Sequence, residues 1–154
     1  SQPLMIMTDC ELVPYAYCAG ADLSGMDLSG MDLTGIDLRG ANLQNTTFDN
    51  AILENADLQK IIGYNASFID TNMLNANLVK AEFNKLDYNE CGGYCGYQAN
   101  FTDATLAEAD LSYADFAFVD LTDARILYAV LNYANFEYAD LTGVNFFQSF
   151  FSHA

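Results

Sequence analysis

Residues 21–43 read ADLSG MDLSG MDLTG IDLRG ANL, one five-residue phrase given four times and begun a fifth. Leu23, Leu28, Leu33, Leu38 and Leu43 are its centres, and two residues before each stands a small or apolar side chain: Ala21, Met26, Met31, Ile36 or Ala41. Asp or Asn lies between. Alternate side chains of an extended chain share a face, so apolar, polar, apolar is a three-residue strand with its polar residue turned out. Ser, Thr or Arg then precedes Gly25, Gly30, Gly35 and Gly40, which supply the positive φ of a tight turn. Each phrase is a strand plus a corner.

A helix does not fit the same spacing. At ~100° per residue, apolar positions at offsets of about 0, 3, 5, 8 and 10 scatter around the whole circumference. A three-residue strand buries nothing alone, so the units have to stack coil upon coil, with backbone hydrogen bonds running along the axis.

Worn copies of the phrase continue downstream as ADLQK, ANLVK, ADLSY, ANFEY and ADLTG. In these A(D/N)LXX phrases the chain resembles the pentapeptide-repeat family. That resemblance implies an all-β fold, a right-handed quadrilateral parallel β-helix with four pentapeptides, about twenty residues, per coil. The 25 centres counted along the chain then make about six coils, a rod roughly 30 Å long at ~4.8 Å per layer.

The 154 residues predict a single domain. Residues 1–17 lack the phrase, contain Pro3 and Pro14, and read as an N-terminal cap over the first strand edge. Cys18 opens the first repeat frame, 18–88, in which every fifth residue is apolar except Gly63. Gly63 is expected to stack between Leu43 and Phe83, its missing volume filled by bulky neighbours or by Ile61 and Ile62. Corner residues pass from Gly to Asn to Lys and Asp along this frame. The expectation is therefore type II corners early, and type I or irregular corners later. The phrase breaks at 89–98, NECGGYCGYQ, a cysteine-containing insertion, and resumes at 99–154 with its centres displaced by thirteen residues, two pentads plus three.

Five Lys and Arg stand against 21 Asp and Glu, a net charge of −16, which excludes a conventional nucleic-acid-binding surface. No apolar run reaches the eighteen residues of a membrane span. Eleven of the acids sit just before a centre, among them Asp22, Asp27, Asp32, Asp37, Asp110, Asp115 and Asp140. There a carboxylate accepts hydrogen bonds from the corner and keeps the rod soluble. The same acids suggest an alternative. Family members that resemble B-DNA bind type II topoisomerases, and duplex DNA over ~30 Å carries roughly 18 charges. Calcium binding is weakly supported, since neither an EF-hand loop nor a GGxGxD repeat is present.

Cys10 and Cys18 are eight apart, and Cys91 and Cys95 lie together in the insertion. Pairing 10 with 18 and 91 with 95 would pin the cap and the loop and would place the protein in an oxidising compartment. Free thiols, with Cys18 buried as a small hydrophobe, are the plainer account. A metal site is disfavoured because the spacings are not CxxC and the one histidine, His153, is terminal.

In the second frame Tyr113, Phe118, Tyr128, Tyr133 and Tyr138 take corner positions held earlier by Gly, Asn and Lys. A step of one coil sets Tyr133 over Tyr113 and Tyr138 over Phe118, two ladders outside the core. With Phe147 and Phe150 they form the candidate interaction surface, for a partner protein or a second copy meeting the C-terminal coil. The plainer account is rings that only support one another. No nucleophile–base spacing or phosphate loop is present, and no catalytic residue, cofactor or metal is assigned.

The sequence thus predicts a non-enzymatic scaffold or protein-interaction module. Ser1 suits either a processed precursor or a trimmed chain. The cysteines suggest export to a periplasm or thylakoid lumen, and by resemblance a cyanobacterial source. The alternative is a cytoplasmic DNA-mimicking inhibitor of gyrase.

Overall fold

The protein is described from a computed structural model, covering residues 10–87 and 95–154. Its backbone is a ladder of parallel bridges that, except across the insertion, join a residue to the one twenty positions later: Asp22 to Asn42, Asn42 to Ile62, Ile62 to Glu82. Four phrases therefore complete one turn of a β-helical solenoid. The bridging residue is the outward polar one, and its neighbours on both sides face in. With sides this short, the only runs of consecutive strand residues among the described residues lie in one hairpin.

Four sides follow from the ladder. Side A carries Asp37, Asp57, Asn77 and Asp110; side B carries Asn42, Ile62, Glu82 and Asp115; side C carries Thr47, Ser67, Asn100 and Asp120; side D carries Ile52, Asn72, Thr105 and Arg125. The shaft between them is dry. Leu28, Leu33, Leu38, Leu43, Leu53 and Leu58 are buried at centres, with alanines such as Ala41, Ala56 and Ala76 filling the slots two residues earlier. Phenylalanines stack through its middle. Phe48 lies on Phe68 at 5.1 Å and 4°, Phe68 on Phe101 at 4.6 Å and 14°, and Phe83 meets Phe101 edge-on at 4.8 Å and 85°. Offset and edge contacts of this kind suit the ring quadrupole.

Gly63 leaves its hole to Phe83, whose Cδ1 would lie 2.9 Å from an added Cβ. Ile61, buried where the coils before and after have Ala41 and Ala81, takes up more of the volume. Ile62, the other residue expected to help, bridges to Asn42 and Glu82 on the outside of side B.

The corners differ from expectation. Positive φ is not confined to the first glycines; it recurs at Asn45 (58°), Lys60 (58°), Asp70 (54°), Lys80 (59°), Glu108 (59°) and Tyr133 (60°), alongside Gly25 (73°). Two hydrogen bonds per corner impose it. At Gly25 the turn closes with Met26 N–H donating to Leu23 O (3.1 Å), while Gly25 N–H donates to Gln44 O (2.8 Å) in the next coil. Lys60 N–H likewise donates to Val79 O (3.0 Å). A left-handed residue with a Cβ costs about 1–2 kcal/mol. Two backbone bonds, each of about 1 kcal/mol net and dear to leave unmade in a packed stack, offset that cost. The stack therefore overrides local preference.

The insertion also begins earlier than the phrase suggests. Strand β1 (Asn84–Asp87) pairs antiparallel with β2 (Cys95–Gln98), so the chain leaves the coil after Phe83. Ala99 N–H then donates to Phe83 O (3.1 Å), closing the corner as residue 86 would in an unbroken phrase. That substitution accounts for the thirteen-residue displacement. Beyond it the ladder resumes, Ser67 bridging to Asn100 and Glu82 to Asp115. Residues 1–9 of the expected cap and the expected Cys91–Cys95 pairing lie outside the described residues. Among the described residues no helix is long and apolar enough to cross a membrane.

Candidate interaction surface

The outward acids are first of all corner-builders. Asp22 Oδ1 accepts from Ser24 N–H (3.1 Å) and Ser24 Oγ–H (2.6 Å). The pattern recurs at Asp27, Asp32, Asp120 and Asp140. Each is an Asx turn feeding the donor two residues on. In Asp22, Asp27, Asp32 and Asp140 the neighbouring hydroxyl, then the backbone N–H, holds the carboxyl below its ordinary range. In Asp37 the leading cause is Arg39, which donates from Nε (2.9 Å) and Nη2 (2.7 Å).

The aromatic residues stand where the ladder register puts them. Tyr133 lies on Tyr113 at 5.0 Å and 6°, and His153 lies on Tyr133 at 4.8 Å and 3°. This column occupies the A–B corner, directly above Lys60 and Lys80. Tyr138 lies on Phe118 at 4.9 Å and 27° on the B–C corner. Tyr128 meets Phe147 edge-on at 5.9 Å on the D–A corner. Phe150 bridges to Val130 on side A itself. The expected surface is thus three separate corners and one side, and side A lies between two of them. Tyr113 and Tyr133 remain about half exposed, at 54% and 48%.

His153 in the column and Lys60 and Lys80 beneath it were missed from sequence. Counting twenty residues from Tyr133 finds His153, and stepping back thirty-three from Tyr113 across the insertion finds Lys80. A shallow cleft of about 430 Å³ lies on the same corner nearer the N-terminus, lined by Tyr17, Arg39, Gln59 and Lys60. Its Arg39 is paired with Asp37 and stands 3.7 Å from Asp57.

Cys10 and Cys18 are joined, with Cα atoms 5.1 Å apart and both residues buried. Beside the bridge, Tyr15 N–H donates to Thr34 O (2.8 Å), Asp37 N–H donates to Ala16 O (2.9 Å), and the Tyr15 ring lies against Gly35.

The family model described as pentapeptide repeats matches in eight copies, over residues 16–55, 53–84, 99–132 and 128–148. Among solved structures, HetL is similar, a pentapeptide repeat protein involved in heterocyst differentiation regulation from the cyanobacterium Nostoc sp. strain PCC 7120. The TM-score is 0.73 at 28% identity, over 84% of this chain and 51% of HetL. The chain therefore spans about half the length of HetL. Rfr23, a pentapeptide repeat protein from the cyanobacterium Cyanothece 51142, matches with a TM-score of 0.51 at 21% identity, over 88% of this chain and 91% of its own. No curated protein matches the chain.

Proposed function

The chain belongs to the pentapeptide-repeat family, and on that premise we propose that it is a non-enzymatic β-helical scaffold whose C-terminal half is a surface for protein contact. The observation that carries the proposal is the stack of half-exposed rings, Tyr113, Tyr133 and His153, on a rigid corner. Aromatic side chains held in one rotamer give up little entropy on binding and are enriched at interfaces. A second copy is one partner such a surface would take. Its C-terminal coil leaves Leu141 and Phe151, at positions buried elsewhere, 38% and 52% exposed. In finer detail we take the rod to be right-handed and quadrilateral, with about six coils.

Replacing Tyr113, Tyr133 and Tyr138 together by Ala is expected to abolish specific capture of a partner by the immobilised protein from its native compartment, with the circular dichroism unchanged. Identical capture by wild type and variant would refute the proposal.

The Cys10–Cys18 bridge supports an exported protein in an oxidising space, a periplasm or thylakoid lumen. Thiol titration of freshly purified protein that finds both cysteines reduced would remove that argument. A second reading, the DNA-mimicking gyrase inhibitor, is supported by the acids of side C and the C–D corner. There Asp70, Asp103 and Asp123 succeed one another coil by coil without an intervening cation. A supercoiling assay in which gyrase is neither inhibited nor protected would exclude it.

A further inference from the structure

The rod is polarised across its width. Exposed apolar side chains gather around side A: Tyr17 and Phe150 on the side, Tyr113 and Tyr133 on the A–B corner, Tyr128 and Phe147 on the D–A corner. The A–B corner also carries Arg39, Lys60 and Lys80, three of the chain's five basic residues, and no acid from Ala19 to His153. Half a coil away, side C and the C–D corner hold seven aspartates, from Asp27 to Asp140, and no Lys or Arg. Side A itself carries Asp37, Asp57 and Asp110, but in a chain of net charge −16 the A–B corner beside it is where a like-charged body approaches with least repulsion.

We propose that a second copy of this chain docks on side A, antiparallel, with Lys80 and Lys60 of each copy against Tyr113 and Tyr133 of the other. The inference rests on the proposal that the aromatic half is a contact surface, and it names the partner. A two-fold axis lying across the face sets each corner opposite the same corner of the other copy and reverses the order of the coils. Lys60, Lys80, Tyr113 and Tyr133 climb the A–B corner one coil at a time, as their N–H bonds to Val79, Ser112, Asn132 and Ser152 show.

With the axis between the coils of Lys80 and Tyr113, each lysine meets a ring, the geometry of a cation–π contact. In the same register Asn77 faces Asp110 on side A, and Asn75 faces Glu108 on the D–A corner. Asp57 falls opposite Val130. No acid of these rows faces another acid. A slip of one coil either way sets Asp110 against Asp57 or against its own copy, so charge disfavours the adjacent registers, and the lysine–ring pairs select this one.

The pairing also leaves the aspartate stripes of the two copies on the outer surfaces, as far apart as the rods allow. Roughly 30 Å of side, at ~4.8 Å per coil, makes an interface at the small end of the specific range. The dimer is therefore dissociable. Salt strengthens it by screening the net repulsion, the reverse of an interface held by ion pairs.

The test is sedimentation of the intact chain together with cysteine cross-linking. Wild type is expected to shift from monomer to dimer with rising concentration, at lower concentration in about 150 mM salt than in about 10 mM. Lys60→Glu/Lys80→Glu, at exposed corners that leave the fold intact by circular dichroism, weakens association at least tenfold. Lys60→Arg/Lys80→Arg retains it. Equimolar Lys60→Cys and Tyr133→Cys, joined by a short bismaleimide, give a cross-linked dimer, whereas Lys60→Cys alone, three coils from its own copy in this register, does not.

A chain monomeric up to several hundred micromolar, or a dimer that cross-links through Phe151→Cys alone and not through the mixed pair, overturns the inference. If the wild type is monomeric but the tyrosine-to-alanine variant still loses capture of another protein, the contact surface stands and the second copy falls. If that capture is also unaffected, both fall.

Discussion

Replacing Gly63 with Ala adds one methyl group against the Phe83 ring inside the shaft. Gly63 lies outside the left-handed region, so its backbone admits Ala. The new Cβ would stand 2.9 Å from Cδ1 and 3.1 Å from Cε1 of Phe83. Relief requires that ring to move by several tenths of an ångström. It is held by Phe68 at 5.8 Å and 88°, by Phe101 at 4.8 Å and 85°, and by Phe116 at 4.9 Å and 33°.

Overpacking of this kind costs about 1–3 kcal/mol. Loss of glycine's freedom in the unfolded chain returns about 0.4–1 kcal/mol. The net expectation is a loss of roughly 0.5–2 kcal/mol, or a few degrees in Tm at about 2–4 °C per kcal/mol for a chain of this size. Urea unfolding followed by far-ultraviolet circular dichroism measures it. A double-mutant cycle locates the cause: in a Phe83→Leu background the Gly63→Ala penalty should shrink by at least about 0.5 kcal/mol. A higher urea midpoint for Gly63→Ala, or penalties that simply add, would show that Phe83 does not occupy the space.

Three further outcomes are expected. Thr71 Oγ1–H donates to Phe48 O at 2.7 Å in the dry shaft, and the same carbonyl accepts from Ala51 N–H at 2.9 Å. Thr71→Val should therefore cost only about 0.5–1.5 kcal/mol, and a loss well above that in chemical denaturation would mean that the hydroxyl does more than this bond. The lowered pKa values of Asp22, Asp27, Asp32, Asp37 and Asp140 mean that the folded chain binds fewer protons than the unfolded one in acid. The stability they add is full above the unfolded carboxylate pKa, about 3.9, and is lost as pH falls through the lower folded values. Melting curves from pH 6 to pH 2 should show that loss flattened in Asp→Asn variants at Asp22, Asp27 and Asp32, and an unchanged profile would contradict the hydrogen-bond origin. Opening the Cys10–Cys18 bridge, whose sequence separation is 8, should cost about 2–3 kcal/mol on the chain-entropy account. Identical melting with and without reductant would argue that the bridge is not formed in solution.

The five-residue phrase by itself determined that Leu28, Leu78 and Leu111 would be buried and that the acids before the centres would face outward. Side-chain direction in a short strand is a local property with a period of two, so no knowledge of the neighbouring coil is needed. The stacking of Tyr133 on Tyr113 was legible for a related reason, since a constant repeat converts separation along the chain into position along the rod.

What the phrase could not supply is whatever depends on the coil above. The left-handed φ of Lys60, Asp70 and Glu108 runs against their own preferences and is set by carbonyls nineteen or more residues away, at Val79, Thr102 and Leu127. The departure of the chain at Phe83 depends on β1 finding β2 rather than continuing the corner. The gathering of Lys60, Lys80, Tyr113, Tyr133 and His153 into one column needs both the closure of the coil at twenty residues and the excision of thirteen by the hairpin. These are long-range hydrogen bonds between segments that carry no mark of one another in sequence, so only the tertiary structure decides them.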